Sequence, residues 1–91
     1  MSMRRIEADL RNIGTPEALQ VYLGYLLRAP GWYGENLDAL YDVLTEIARP
    51  TCLCFRLPSV MTPAMEAYWP RLRRVLEDAA EASPAFCWTA E

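Results

Sequence analysis

The chain has 91 residues, enough for one small domain that buries a core without metal or disulfide cross-links. Its composition, 53% hydrophobic and 23% charged, is typical of a globular protein rather than a disordered one. The formal net charge is −3, and the sequence contains neither histidine nor lysine. These absences weigh against hydrolases and exclude Schiff-base chemistry. We therefore expect a single domain spanning residues 1–91.

The N-terminal segment and the cysteines predict a cytoplasmic protein. Arg4 and Arg5 are not followed by an apolar run of signal-peptide length, and no stretch approaches the roughly eighteen apolar residues of a membrane helix. Cys52, Cys54 and Cys87 are an odd number, so we expect free and mostly buried thiols. A zinc site is the alternative, but Cys-x-Cys spacing fits a strand face better than the usual ligand spacing.

The first two predicted elements are a strand and a helix. Apolar and charged residues alternate over residues 4–10, which is typical of a half-buried strand. Residues 15–17, Thr-Pro-Glu, offer a capping hydroxyl, a proline at the first helical position and an acid in the first turn. Leucines at helical spacing continue this helix to about Arg28, and Pro30 ends it.

Residues 30–48 are predicted to form a tight loop that leads into a second helix. Gly31 and Gly34 allow non-standard backbone angles in the loop, and Asn36 can cap a helix that begins near Leu37. At about 100° per residue, one arc of that helix is apolar and should face the core: Leu37, Leu40, Val43, Leu44 and Ile47. The opposite arc should meet water: Asp38, Asp42 and Thr45, flanked by Tyr41 and Glu46.

Negative charge is concentrated in this segment. Residues 29–48 hold four acids and no basic residue, whereas the rest of the chain holds nine arginines against eight acids. A solvated helix face is the plainest interpretation, yet Asp42 lies beyond the first turn and four residues from Asp38, a spacing that disfavours like charges. Helix stability therefore does not explain Asp42. An acidic surface beside Trp32, Tyr33 and Tyr41 instead suits docking into a positively charged cleft.

The second half of the chain predicts a strand, further helix and a last strand. Residues 51–57 form a largely apolar run and predict a central strand. Thr62 and Pro63 open a helix that Pro70 is expected to kink or break after Trp69, leaving a second helical piece to about Ala82. Residues 85–89 predict a short final strand. Because helices separate the strands, we expect an α/β fold with a three-stranded parallel sheet packed with helices.

Residues 33–45 read Tyr-Gly-Glu-Asn-Leu-Asp-Ala-Leu-Tyr-Asp-Val-Leu-Thr and resemble the signature segment of the barstar family of intracellular ribonuclease inhibitors. The similarity extends more weakly over almost the whole chain. It implies a barstar-like fold and an inhibitor that plugs the basic active site of an extracellular or toxin-type, barnase-like ribonuclease. In that family the second aspartate of the helix takes the place of a substrate phosphate, so the resemblance implies Asp42 as the phosphate mimic.

The same resemblance implies further partner-binding residues in the loop, in the helix and late in the chain. By position they are Trp32, Tyr33, Gly34, Asn36, Leu37, Asp38, Tyr41, Thr45 and Asp78. Three of them depart from the family pattern, because the aromatic type is exchanged at Trp32 and Tyr41 and Asp78 stands for a glutamate. These changes leave the identity of the target more open than the mode of binding.

Two other functions remain open beside the ribonuclease inhibitor. An immunity or regulatory protein could bind a different basic toxin or protein partner through the same surface. An enzyme could use Asp38 and Asp42 as paired carboxylates, but no histidine, lysine or second ligand cluster completes such a site. Arginines at 71, 73 and 74 are only weak evidence for nucleic-acid binding, because the chain as a whole is acidic. We expect a monomer without cofactor or metal that binds neither nucleic acid nor membrane.

Overall fold

The computed structural model describes residues 3–91. Three strands alternate with helices, and the order along the chain is β1 (Arg4–Asp9), α1 (Pro16–Leu26), α2 (Leu37–Thr45), β2 (Thr51–Arg56), α3 (Pro63–Ala82) and β3 (Phe86–Ala90). The strands form one parallel sheet in the order β1-β2-β3, with Arg4 opposite Thr51 and Thr51 opposite Phe86. The predicted α/β fold, its parallel three-stranded sheet and the central position of β2 are confirmed.

The core lies between one face of the sheet and the helices. Alternate strand residues such as Ala8, Leu53 and Phe55 point into it, because successive side chains of a strand face opposite sides. Each helix adds a buried stripe: Leu19 and Leu23 from α1, Leu40 and Leu44 from α2, Leu72 and Leu76 from α3. Because α2 packs against α3 through its buried stripe, the opposite side of α2 is left to solvent.

Helix α3 runs from Pro63 to Ala82 as one element, which corrects the predicted division into two helical pieces. Pro70 lies on the exposed side of this helix, where water can hydrate the carbonyl group that proline leaves without a backbone donor. Trp69 packs edge-on against Phe55 and Trp88, with ring centroids 5.7 and 6.5 Å away. Tertiary packing on both sides of Pro70 thus holds the helix together; the buried residues are Met65, Leu72, Leu76 and Ala79.

The cysteines are free thiols, but only Cys52 is buried. Cys54 and Cys87 are half-buried, so the prediction of mostly buried thiols is only partly correct. The reason is the direction of their side chains: Cys54 lies between the core residues Leu53 and Phe55, and Cys87 follows the core residue Phe86, so both point to the other face of the sheet. Cys52 points to the same face but is buried on the central strand. That face is less covered, as the exposure of Arg5 and Glu7 on β1 indicates.

Within residues 3–91, no helix combines the length and the apolar character that crossing a membrane requires.

Candidate functional site

The start of α2 is defined by its cap. Asn36 has an extended backbone, its side-chain oxygen accepts a hydrogen bond from the Ala39 amide at 2.8 Å, and α2 begins at Leu37 as predicted. The side-chain nitrogen of Asn36 also donates to the carbonyl oxygen of Gly34 at 3.3 Å. One asparagine therefore ties the loop to the first turn of the helix.

The loop before α2 departs from its predicted backbone. Neither Gly31 nor Gly34 has a positive φ; the left-handed positions are Glu35, with φ 54°, and Arg28, with φ 51°. The expectation that the glycines supply the non-standard angles is therefore wrong. Glycine at position 34 instead lets the Asn36 side chain approach the backbone closely, because a Cβ there would lie 2.9 Å from the side-chain nitrogen of Asn36.

We define the loop–α2 surface as residues 30–36 together with the solvent-facing side of α2 and its C-cap residue Glu46. Four carboxylates lie on it, and all four are exposed: Glu35, Asp38, Asp42 and Glu46. The ion pairs among residues 3–91 lie elsewhere, at Arg11–Asp9, Arg73–Glu77 and Arg74–Asp78. None of these four carboxylates forms an ion pair in the described part of the chain, although Arg71 lines a cleft beside Asp38. The loop–α2 surface therefore keeps a net negative charge, which attracts a basic partner.

The aromatic and polar residues predicted beside these acids differ in how far they reach solvent. Trp32 is 53% exposed, whereas Leu37 and Tyr41 are half-buried and pack against the core. The Thr45 hydroxyl donates to the carbonyl oxygens of Tyr41 and Asp42 at 2.9 and 3.2 Å. Thr45 is also the last residue of α2, which ends before Ile47, although Ile47 still packs against the core.

Tyr33 points inward, unlike its neighbours in the loop. Its hydroxyl donates to the side-chain oxygen of Gln20 on α1, and the side-chain nitrogen of Gln20 donates to the Tyr68 hydroxyl on α3 at 2.6 Å. Burial raises the pKa of Tyr33 from 10.0 to about 12, and the hydroxyl donates this bond in its protonated form. The side chain of Tyr33 is therefore engaged within the protein.

Asp78 belongs to a different element from the other predicted contacts. It lies on the exposed side of α3, where the Arg74 Nε atom is 3.6 Å from its carboxylate. The carboxylate of Asp78 is thus ion-paired, whereas those of Asp38 and Asp42 form no ion pair within residues 3–91.

The sequence reasoning missed the residues that support the loop from behind. A cleft of about 350 Å³ opens between the starts of α1 and α2 and the middle of α3, and Gln20, Tyr68 and Arg71 line it beside Asp38. The available signal was Gln20 itself, an amide within the otherwise apolar stripe of α1 next to Leu19. A polar residue in such a stripe needs buried hydrogen-bond partners.

The geometry of the loop–α2 surface suits contact with the cationic side chains of a partner. It offers exposed carboxylate oxygens, an exposed indole and a capped helix start held against the core. In the part of the chain that the structure describes, no group of three or more acidic, cysteine or histidine side chains is placed to hold a metal ion.

The chain matches a known protein family over nearly its whole length. The family model described as Barstar (barnase inhibitor) matches residues 3–87, which include the whole loop–α2 surface and Asp78. A search of curated proteins found no match to the chain. Since the family match spans nearly the whole sequence, the chain belongs to the barstar family of barnase inhibitors.

Proposed function

We propose that residues 1–91 act as one barstar-like domain that inhibits a barnase-like ribonuclease inside the cell that produces the enzyme. The observation that carries the proposal is the pair of carboxylates without an ion-pair partner among the described residues, Asp38 and Asp42, on the exposed side of a helix whose other side is buried. A ribonuclease binds the phosphates of RNA with cations, so a rigid acidic helix is a suitable plug for its active site.

Asp42 is proposed to occupy the place of a substrate phosphate. It lies in the middle of α2, so its backbone is held by the helix and by the buried neighbours Val43 and Leu44. A carboxylate on such a rigid element loses little conformational freedom when it enters a basic pocket. Asp38, one turn earlier on the same side, is proposed to bind a second cation of the enzyme.

The other predicted contacts are proposed to act around this pair. Trp32 is the exposed aromatic anchor of the loop, and Tyr41 presents the part of its ring that does not pack against the core. Gly34, Asn36 and Leu37 bring the start of α2 close to the partner, while Thr45 and Asp78 lie toward the edges of the contact. The domain is proposed to act as a monomer in the cytoplasm.

Inhibition of barnase tests the proposal. Purified protein is titrated into barnase cleaving a fluorogenic RNA, and we expect activity to fall to zero near one equivalent. The variant Asp38→Asn with Asp42→Asn keeps both side-chain shapes but removes both charges, and it should inhibit far more weakly. Its matched control is Glu7→Gln with Glu91→Gln, which removes two exposed carboxylates on the sheet side of the molecule and should inhibit like the parent.

An immunity or regulatory protein for a different basic partner is the alternative, favoured by the aromatic exchanges at Trp32 and Tyr41. A parent protein that leaves barnase fully active, but retains a basic protein without ribonuclease activity when immobilised, would support this alternative. Equal inhibition by the parent and by the Asp38→Asn, Asp42→Asn variant would contradict the assignment of the acidic surface.

A further inference from the structure

Three elements meet behind the loop–α2 surface through one buried amide. Gln20 on α1 is 2% exposed, yet it lies between two tyrosine hydroxyls, one from the loop and one from α3. Its oxygen accepts from Tyr33 and its nitrogen donates to Tyr68, so both ends of the amide are satisfied. We call this chain of hydrogen bonds the Gln20 bridge.

Tyr33 is the point where the loop is held to the rest of the molecule. Among residues 30–36 it is half-buried, while the other six are exposed. A Cβ at Gly24 would lie 2.9 Å from Cε2 of the Tyr33 ring, so the ring packs directly on the bare backbone of α1. Gly24 and Gln20 are four residues apart and therefore lie on the same face of α1.

This arrangement explains a glycine that the helix alone would disfavour. Gly24 lies inside α1 without a positive φ, and glycine in a helix interior is less stable than alanine. The Tyr33 ring explains why glycine is found at position 24, because the ring occupies the space that the Cβ of any other residue would need. The Gln20 bridge then fixes the ring at its far end, because the hydroxyl reaches the buried amide.

We infer that Tyr33, Gln20 and Gly24 are positioning residues that hold the loop in its binding conformation, so that Tyr33 acts through the loop rather than as a partner contact. The loop carries Trp32 on one side of Tyr33 and the cap of α2 on the other. Because the loop is already held in this conformation, less conformational entropy is lost when the partner binds. The consequence for affinity rests on the proposed function, whereas the positioning itself does not.

Removal of the Tyr33 hydroxyl tests whether it holds the loop in the free protein. Tyr33→Phe keeps the ring on Gly24 but breaks the Gln20 bridge. The amide of residue 33, which donates to the Pro30 carbonyl oxygen, should then exchange with solvent at least about fivefold faster, while the Leu76 amide in α3 should not change. The matched control is Tyr25→Phe on α1, where the side chain is 79% exposed and its loss of a hydroxyl should leave both rates unchanged.

Affinity for barnase separates positioning from direct contact. Tyr33→Phe should weaken binding by about tenfold, and Gln20→Leu should weaken it by a similar factor although Gln20 is too buried to touch a partner. The double variant should lose little more than either single variant, because both break the same bridge. Thermal unfolding of each variant confirms that the measured protein is folded.

The possible outcomes are distinct. Slower or unchanged exchange at residue 33 in Tyr33→Phe would overturn the positioning role, whatever the binding result. Faster exchange with unchanged affinity for barnase would overturn its contribution to binding, as would a loss in Tyr33→Phe that Gln20→Leu does not share. If the parent protein itself does not bind barnase, the proposed function fails, and the exchange rates of the free protein still decide the positioning.

Discussion

Asp38 and Asp42 are both exposed carboxylates of α2, but helix stability explains only the first. A carboxylate in the first turn gains about 0.3–1 kcal/mol from the helix dipole, and this gain fades beyond that turn. Asp42 lies past it and carries the same charge as Asp38 four residues earlier, which costs about 0.2–0.5 kcal/mol. Asp42 therefore slightly destabilises α2, which is consistent with the binding role proposed for it.

Replacing Asp42 should lower the affinity for the partner without lowering the stability of the protein. If its carboxylate replaces a phosphate in a desolvated basic pocket, Asp42→Ala leaves several cations unpaired and should cost at least about 2 kcal/mol of binding free energy. This expectation is inherited in part from the family, in which the matching aspartate is the phosphate mimic. The free energy of unfolding should be unchanged or slightly higher, since a like-charge repulsion is removed.

Glu46→Ala is the matched control for this prediction. Glu46 follows the last residue of α2 and is exposed at the edge of the same surface, so its loss should cost less than about 1 kcal/mol of binding free energy. Calorimetric titration of both variants against barnase measures the difference. Equal losses in the two variants would show that Asp42 has no special place in the complex.

Asp9, the last residue of β1, makes the stability of the fold depend on pH in the acid range. Arg11 donates from Nε and Nη2 to the two carboxylate oxygens at 3.0 and 2.8 Å, and its backbone amide adds a third bond at 3.0 Å. The Arg11 side-chain hydrogen bonds, followed by the Arg11 backbone amide, lower the pKa of Asp9 from 3.8 to about 2. Because the folded pKa is depressed, the stabilisation is present above pH 3.8 and is lost as the pH falls toward 2.

Arg11→Ala should raise the pKa of Asp9 toward its ordinary value, while the backbone amide retains part of the shift. A carbon-13 titration of the Asp9 carboxyl group measures both pKa values directly. Urea unfolding across the same acid range should show a smaller loss of stability in Arg11→Ala than in the parent. The same pKa in both proteins would mean that the pairing does not persist in solution.

At the scale of elements, α3 shows how packing overrides a local signal. Proline in a helix interior costs about 3 kcal/mol, because it removes one backbone hydrogen bond and crowds the carbonyl group four residues earlier. The helix continues because Trp69 is held by Phe55 and Trp88, and because Leu72 resumes the buried stripe two residues after the proline. The sheet therefore fixes the path of the helix across Pro70.

Pro70→Ala should stabilise the protein. The substitution restores the missing donor on an exposed side of α3, and part of the gain is offset because proline also restricts the unfolded chain by about 0.4–1 kcal/mol. We expect the free energy of unfolding in urea to rise by about 1–2 kcal/mol. Pro63→Ala, at the first helical position where proline is tolerated, should change it by less than about 1 kcal/mol. Equal changes in the two variants would contradict this account.

At the scale of the whole molecule, the net charge of −3 arises from the acids of residues 29–48. The four exposed carboxylates of the loop–α2 surface have no basic residue among residues 29–48, while arginines and acids are nearly balanced elsewhere. The molecule therefore presents one negative side to an approaching partner. Such an arrangement affects the rate of encounter more than the lifetime of the complex.

Association with barnase should accordingly slow with salt. Between about 0.02 and 0.5 M ionic strength the screening length falls severalfold, and we expect the association rate constant to fall by about tenfold or more. The dissociation rate constant should change much less. Stopped-flow measurements across this range provide both values. A flat association rate would indicate that the acidic surface does not face the partner.

The sequence by itself determined the α/β order, the parallel sheet, the cap at Asn36, the start of α2 and the exposed acids. These features follow from periodic patterns and caps that act within a few residues, so the local sequence is sufficient to predict them. The family resemblance also came from a continuous segment, residues 33–45, and the family match confirms it. The roles of Asp42 and the other predicted contacts remain predictions.

Only the tertiary structure decided the continuity of α3 across Pro70, the left-handed backbone at Glu35, the exposure of Cys54 and the inward direction of Tyr33. Most of these depend on groups far apart in the chain: the Gln20 bridge alone joins residues separated by 13 and 48 positions. Local propensity could not predict them, because the energy that selects each conformation comes from contacts that exist only after the helices have packed on the sheet.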